Sequence, residues 1–310
     1  MVTEIKEWPL YPRVYKAPRQ SFFLFGPRGV GKSTWARHTT RKTTLWVLTG
    51  WLSLLAGCSE VAITGREQLN FVPDSIINSM SLQQYSQFLS QNKMSANAPR
   101  TAMVQQVGGR IQKAVDEYSR KNLPSDPFEG YQWEFNLVED KAVNAFAMPG
   151  GKVVVCTGLL AVAQDDAELA VVMGHEIAHV FARHGAERMS QGLLIEMGGM
   201  AVSEAIKKKP EATRNLFMTA FGLGSQIGLL LPFSRLHENE ADRLGLIFMA
   251  MAGYDPQRAI GFWQKMAEQG RTQPKPPEFL STHPADETRI QNIRNLMPEA
   301  MGFYKARKTG

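Results

Sequence analysis

Leu169-Ala170-Val171-Val172-Met173-Gly174-His175-Glu176-Ile177-Ala178-His179 decides how the rest of the chain is read. The first six residues are apolar or glycine, and the pattern predicts one helix from Asp165 to His184. Two histidines four apart lie about 40° from each other around a helix, so both imidazoles can reach one metal ion from the same face. Glu176 between them is placed to take a proton from a water at that ion. A pair of solvated histidines would have polar surroundings. Here the apolar run carries them into an interior, where unpaired imidazoles are costly. The spacing is that of a zinc site in which the glutamate is a general base.

Such a site needs a third protein ligand, and Leu236 to Gly245, reading LHENEADRLG, offers one. Glu238 and Asp242 are again four apart and share a helix face, whereas Glu240 is turned about 200° from Glu238 and points elsewhere. Glu238 is the expected ligand. Asp242 would accept the second N–H of a ligand histidine and set its tautomer. His237, about 100° off this face, reads as a surface or packing residue.

Around these two helices the chain alternates between short extended runs and long helical ones. Helical stretches are expected around Leu82 to Gln91 and from Thr101 to Asn122, the latter with Met103, Val104, Val107, Ile111 and Val115 along one side. Gly130 to Val138, Asn144 to Met148 and Lys152 to Cys156 read as strands, with Pro149-Gly150-Gly151 as a hairpin turn. Further helices are expected at Ala186 to Ile206, Ala212 to Leu231, Arg235 to Ala252, Pro256 to Gln269 and Ala285 to Leu296. The fold class is therefore α+β, mainly helical, with a small antiparallel sheet leading into a helical body. Leu216 to Phe233 carries no charge but includes Thr219, Ser225, Gln226 and three glycines, so it reads as a buried or membrane-surface helix and not a span. Cys156 reads as a buried structural thiol.

The chain has 310 residues and a formal net charge of +6. Nine of its 35 Lys and Arg but only two of its 29 Asp and Glu fall within residues 1–57. The remainder, 26 basic against 27 acidic, carries no electrostatic footprint for nucleic acid. Within the basic front, Thr44 to Gly57 is an uncharged apolar run preceded by Arg41 and Lys42 and closed by Leu55-Ala56-Gly57-Cys58. That is the length of a signal-peptide core and resembles a bacterial lipobox, in which Cys58 receives the lipid and becomes the first residue of the mature protein. Ser59 after it resembles the outer-membrane sorting pattern. Residues 1–40 contain a full phosphate-loop match, with Gly26, Gly31, Lys32 and Ser33 at its defining positions. A working nucleotide site also needs a parallel sheet and a second acidic strand, and here a signal peptide begins about ten residues after Ser33. The three segments expected are therefore 1–40, an ATPase-like fragment without its context; 41–58, a lipoprotein signal peptide; and 59–310, the catalytic domain.

With both helical motifs in hand, Cys58 to Arg294 resembles a lipoprotein member of the zinc peptidase family that includes HtpX, the CAAX prenyl protease and the mitochondrial protease Oma. The pieces that carry the resemblance are ITGREQLN at Ile63 to Asn70, NAFAMPGG at Asn144 to Gly151, GHEIAHVFARH at Gly174 to His184, LLLPFSRLHENEAD at Leu229 to Asp242 and STHP at Ser281 to Pro284. The resemblance implies a gluzincin-type metalloendopeptidase with one Zn2+ per chain on His175, His179 and Glu238, and Glu176 as base. It implies that Asn144, Ala145, Phe146 and Ala147 form the edge strand on which a protein or peptide substrate is aligned. It also implies that His283 lies beside the metal, either donating to the oxyanion or plugging the open zinc position. Envelope protein quality control, lipid-anchored and facing the periplasm at the outer membrane, is the implied setting. A phosphate-loop ATP-binding protein and a lipoprotein chaperone with a vestigial metal site are the competing readings. The residues carry no signal for oligomeric state.

Overall fold

Gly150 and Gly151 both adopt positive φ, +82° and +81°, a conformation that glycine reaches without steric cost. They turn β4 (Ala145–Met148) back onto β5 (Lys152–Cys156) in antiparallel register, Ala145 opposite Val155. Every residue of β5 is buried, so it takes the centre of the sheet, as a strand apolar on both faces does. β3 (Glu134–Val138) pairs with its other side in parallel, Glu134 opposite Lys152. The sheet is thus mixed, in the order β3-β5-β4, where an antiparallel one was expected. The all-apolar Val153-Val154-Val155 run outweighs sequence neighbourhood in setting strand order, and β4 is left on the edge. A second, two-stranded hairpin pairs β1 (Cys58–Glu60) with β2 (Glu67–Leu69).

This computed structural model describes residues 58–196, 207–220, 234–272, 277–283 and 287–309. The phosphate-loop residues Gly26, Gly31, Lys32 and Ser33, the apolar run before Cys58, and the 221–233 part of the apolar stretch lie outside the described residues. So does the side chain of Cys58. Among the described residues no helix is long and apolar enough to cross a membrane.

Helices make up most of the rest. After α1 (Asp74–Gln91), α2 (Ala98–Asn122) is capped by the Asn97 side chain, which accepts from Arg100 N at 3.1 Å, and buries Val104, Val107, Ile111 and Val115 at helical spacing. The central α3 (Asp166–Phe181) starts where Asp165 accepts from Glu168 N at 2.9 Å, and from Glu168 onward it is entirely buried. It does not continue to His184 as expected. Arg183 turns into the left-handed region at φ +57°, and α4 (His184–Glu196) starts afresh. Next come α5 (Pro210–Ala220) and α6 (Arg235–Met251), the latter capped by Ser234 accepting from His237 N at 3.2 Å. Then follow α7 (Arg258–Thr272), a single turn α8 (Phe279–Thr282) and α9 (Glu287–Thr309), which runs on past the expected end at Leu296.

What positions the site is the contact between α3 and α6. A Cβ on Gly174 would lie 2.8 Å from the Gly245 carbonyl oxygen, and a Cβ on Gly245 would lie 2.9 Å from the His175 amide nitrogen. The two helices therefore touch backbone to backbone, one residue before His175 and three after Asp242. Val172, Met173, Leu244 and Phe248 fill the core around this contact.

Candidate metal centre

His175, His179, Glu238 and His283 each point one donor atom into a common space, and these atoms all lie within 4.8 Å of one another. His175 Nε2 is 3.0 Å from His179 Nε2 and 3.5 Å from Glu238 Oε2, and His179 Nε2 is 3.3 Å from Glu238 Oε1. Donors held at zinc bond lengths of about 2.0–2.1 Å in a tetrahedron are about 3.3 Å apart, so the spacing fits one such ion. The electrostatics fit as well. Burial works against charge on His175, but its contacts with Asp242 and Glu238 lift its pKa to about 9, so a metal ion there would replace a proton on this ring. Burial pushes His179 well below the usual histidine range, the neutral state a ligand requires. Glu238 resists burial and stays well below the usual carboxylate range beside His283 and Arg289.

His283 was expected beside the metal only through family resemblance. It caps α8, is 4% exposed, and directs Nδ1 to 3.1 Å from His175 Nε2 and 2.9 Å from Glu238 Oε1. It stands among the donors themselves.

Glu176 lies on the cleft side of this cluster. Burial raises its carboxyl, and the backbone N–H of Ala147 donates to it. Its Oε1 is 3.5 Å from His283 Nε2 and, although buried, has no hydrogen-bond partner. A carboxylate oxygen in that state is poised for water. The cleft is lined by Asn144, Ala145, Phe146 and Ala147 together with Glu176 and His283. Because Asn144 O accepts from Cys156 N, the alternation of an antiparallel pair turns the N–H groups of Ala145 and Ala147 to the free edge of β4. The structure thus brings the four expected substrate residues beside the metal cluster.

Asp242 falls where the spacing put it, with Oδ1 3.0 Å from His175 Nδ1. Sequence reading missed its other partner. Arg289 of α9 donates to both Asp242 oxygens at 2.8 Å, approaches Glu238 Oε2 at 3.1 Å, and stacks on Trp263 with its Cζ 3.5 Å from the ring centre. The available signal was that Arg289 lies on the same helical stripe as the buried Ile293 and Ala300. Glu240 does point away from Glu238, into a second buried cluster with His184 and Arg66. His237 is a packing residue, stacked on His184. Cys156 is buried, with its thiol pushed up to about 12 by that burial.

The sequence profile of peptidase family M48 matches residues 79–297. The chain is 36% identical over 202 residues to the mitochondrial metalloendopeptidase OMA1 of Arabidopsis thaliana, covering 64% of this chain and 39% of that protein. Against OMA1 of Saccharomyces cerevisiae it is 32% identical over 213 residues, 67% of this chain and 59% of the relative. It is also 34% identical over 181 residues to the beta-barrel assembly-enhancing protease of Escherichia coli K12, 57% of this chain and 36% of the relative. The chain thus spans from about a third to three fifths of the length of these relatives.

Proposed function

Because the chain belongs to peptidase family M48, we propose that it is a zinc-dependent endopeptidase in which His175, His179 and Glu238 hold the metal and Glu176 is the general base. The observation that carries this reading is the convergence of the donor atoms beside the unpartnered Oε1 of Glu176. When bound, zinc supplies a Lewis acid and lowers the pKa of a coordinated water. Ala147 N–H orients the Glu176 carboxylate, which takes the water's proton and returns it to the leaving amine. Ala145 N–H on the open edge of β4 pairs with the substrate backbone by strand addition. Asp242, held by Arg289, keeps the Nδ1 proton of His175 in place so that Nε2 faces the metal. The position of His283 Nδ1 among the donors favours the plug over the oxyanion role.

The test pairs metal analysis with one substitution. Glu176→Gln keeps one zinc per chain and loses proteolysis by about 10²–10⁴-fold, the usual weight of a general base. Wild-type cleavage by that variant refutes the assignment.

The setting is part of the same proposal. Cys58, at the end of a basic-flanked apolar run, is the lipid attachment site, and the chain faces the periplasm from a membrane of the bacterial envelope, the outer membrane by the Ser59 criterion. The substrates are envelope proteins under quality control, a reading supported by the name of the bacterial relative, which links that protein to β-barrel assembly.

A further inference from the structure

Beyond the ligands, a buried hydrogen-bonded path runs from the metal position to the β1–β2 hairpin. His179 turns Nε2 toward the other donors, and its Nδ1 lies 2.8 Å from Nδ1 of His184. A ligating Nε2 carries no proton, so Nδ1 of His179 is the N–H and Nδ1 of His184 must accept it. His184 then holds its proton on Nε2, which donates to Glu240 Oε2 at 2.8 Å. The same oxygen accepts from Arg66 Nε at 2.6 Å, and the other Glu240 oxygen accepts from the Thr64 hydroxyl. Thr64 and Arg66 lie in the turn between β1 and β2. Arg66 Nη2 also reaches Glu187 Oε2 at 2.9 Å, and that oxygen is 3.1 Å from His237 Nε2. The His237 ring stacks on His184 at 4.4 Å and 21°, so His184 is held both edge-on and face-on.

The backbone is bent to make this contact. On an uninterrupted helix, the residue five beyond His179 would lie about 140° around the axis from it. Arg183 in the left-handed region ends α3 and restarts the chain, and His184 faces back onto the His179 ring with centroids 4.9 Å apart. A non-glycine residue in that region is strained, and such strain persists where the surroundings over-determine it.

We propose that His184 is a positioning residue for the metal ligand His179, and that Glu240, clamped by Thr64 and Arg66, sets the tautomer of His184, so that the hairpin is the outer layer of the metal centre. The two histidine ligands are then oriented differently. His175 is fixed by a carboxylate directly, and His179 by a carboxylate acting through a second imidazole.

The proposal rests on the zinc reading, and zinc affinity of the full chain, measured by competition with a chromogenic chelator, separates the two. A wild-type chain that binds no zinc overturns both. With wild type binding, His184→Leu, which offers no acceptor, lowers zinc affinity about 10–100-fold, the usual effect of removing such a partner. His184→Gln, whose amide oxygen can accept from His179 Nδ1, restores most of it. The visible spectrum of the cobalt-substituted protein shifts in His184→Leu and returns toward wild type in His184→Gln. Glu240→Met, which leaves His184 Nε2 without its acceptor and serves where His184→Leu does not fold, lowers zinc affinity about tenfold. Affinity within twofold of wild type in Glu240→Met and in any folded His184→Leu, or equal loss in the Leu and Gln variants of His184, overturns the proposal while leaving the zinc site intact.

Discussion

Replacing Gly245 by alanine is the most direct test of how the two site helices are held together. The added Cβ would stand 2.9 Å from the His175 amide nitrogen and 3.0 Å from both Gly174 C and His175 Cα. Ordinary carbon contacts lie at about 3.5–4.0 Å, so α3 and α6 must part by about 0.6–1 Å. Overpacking a core costs about 1–3 kcal/mol, and the atoms met here are backbone that cannot rotate aside, which puts the cost near the upper end. Alanine in a helix interior returns about 0.8–1.0 kcal/mol relative to glycine. The net is a loss of about 2 kcal/mol, or about 4–8 °C in Tm for a domain of this size. The same displacement moves His175 relative to Glu238, whose donor atoms are 3.5 Å apart, and a misplacement of about 1 Å at a catalytic site costs on the order of 10²-fold. Thermal unfolding with chelator present reads the first effect, and kcat/KM at saturating zinc reads the second. Gly261→Ala in α7, where nothing lies within 4 Å of the added carbon, is the control and should match or exceed wild-type stability. If Gly245→Ala behaves like Gly261→Ala in both assays, the helix contact does not set the site.

Proline at the two edge donors should separate binding from chemistry: Ala145→Pro raises KM with kcat nearly kept, whereas Ala147→Pro also removes the N–H that orients Glu176 and lowers kcat, and identical kinetics for both variants would contradict the edge assignment. Arg289→Met leaves Asp242 and Glu238 as buried carboxylates without their cation, so chelator-treated protein should lose about 3–5 kcal/mol in denaturant unfolding; a loss under about 1 kcal/mol would mean the Arg289 contacts are incidental. His283→Ala should raise turnover of a peptide substrate at saturating zinc, since Nδ1 sits in the donor cluster, and a hundredfold fall would restore the oxyanion role.

Periodicity made much of this legible. The four-residue spacing of His175 and His179, and of Glu238 and Asp242, places each pair on one face by helix geometry alone, and the apolar run before His175 marks that helix as buried. The Gly150-Gly151 turn was equally readable, because few residues other than glycine take two successive positive φ values. Strand order was not, since pairing β3 with β5 depends on which strand is buried on both sides, a property of the assembled layers. The same holds for Arg289, which reaches Asp242 across 47 residues, and for the Thr64 and Arg66 contacts with Glu240, across more than 170. His184 was hidden for a different reason: helix periodicity turns it away from His179, and only the left-handed Arg183 brings it back. Local spacing was enough to propose the ligand set and the base. The partners that orient those residues come from distant parts of the chain, and no one-dimensional pattern records which distant side chains share a buried space.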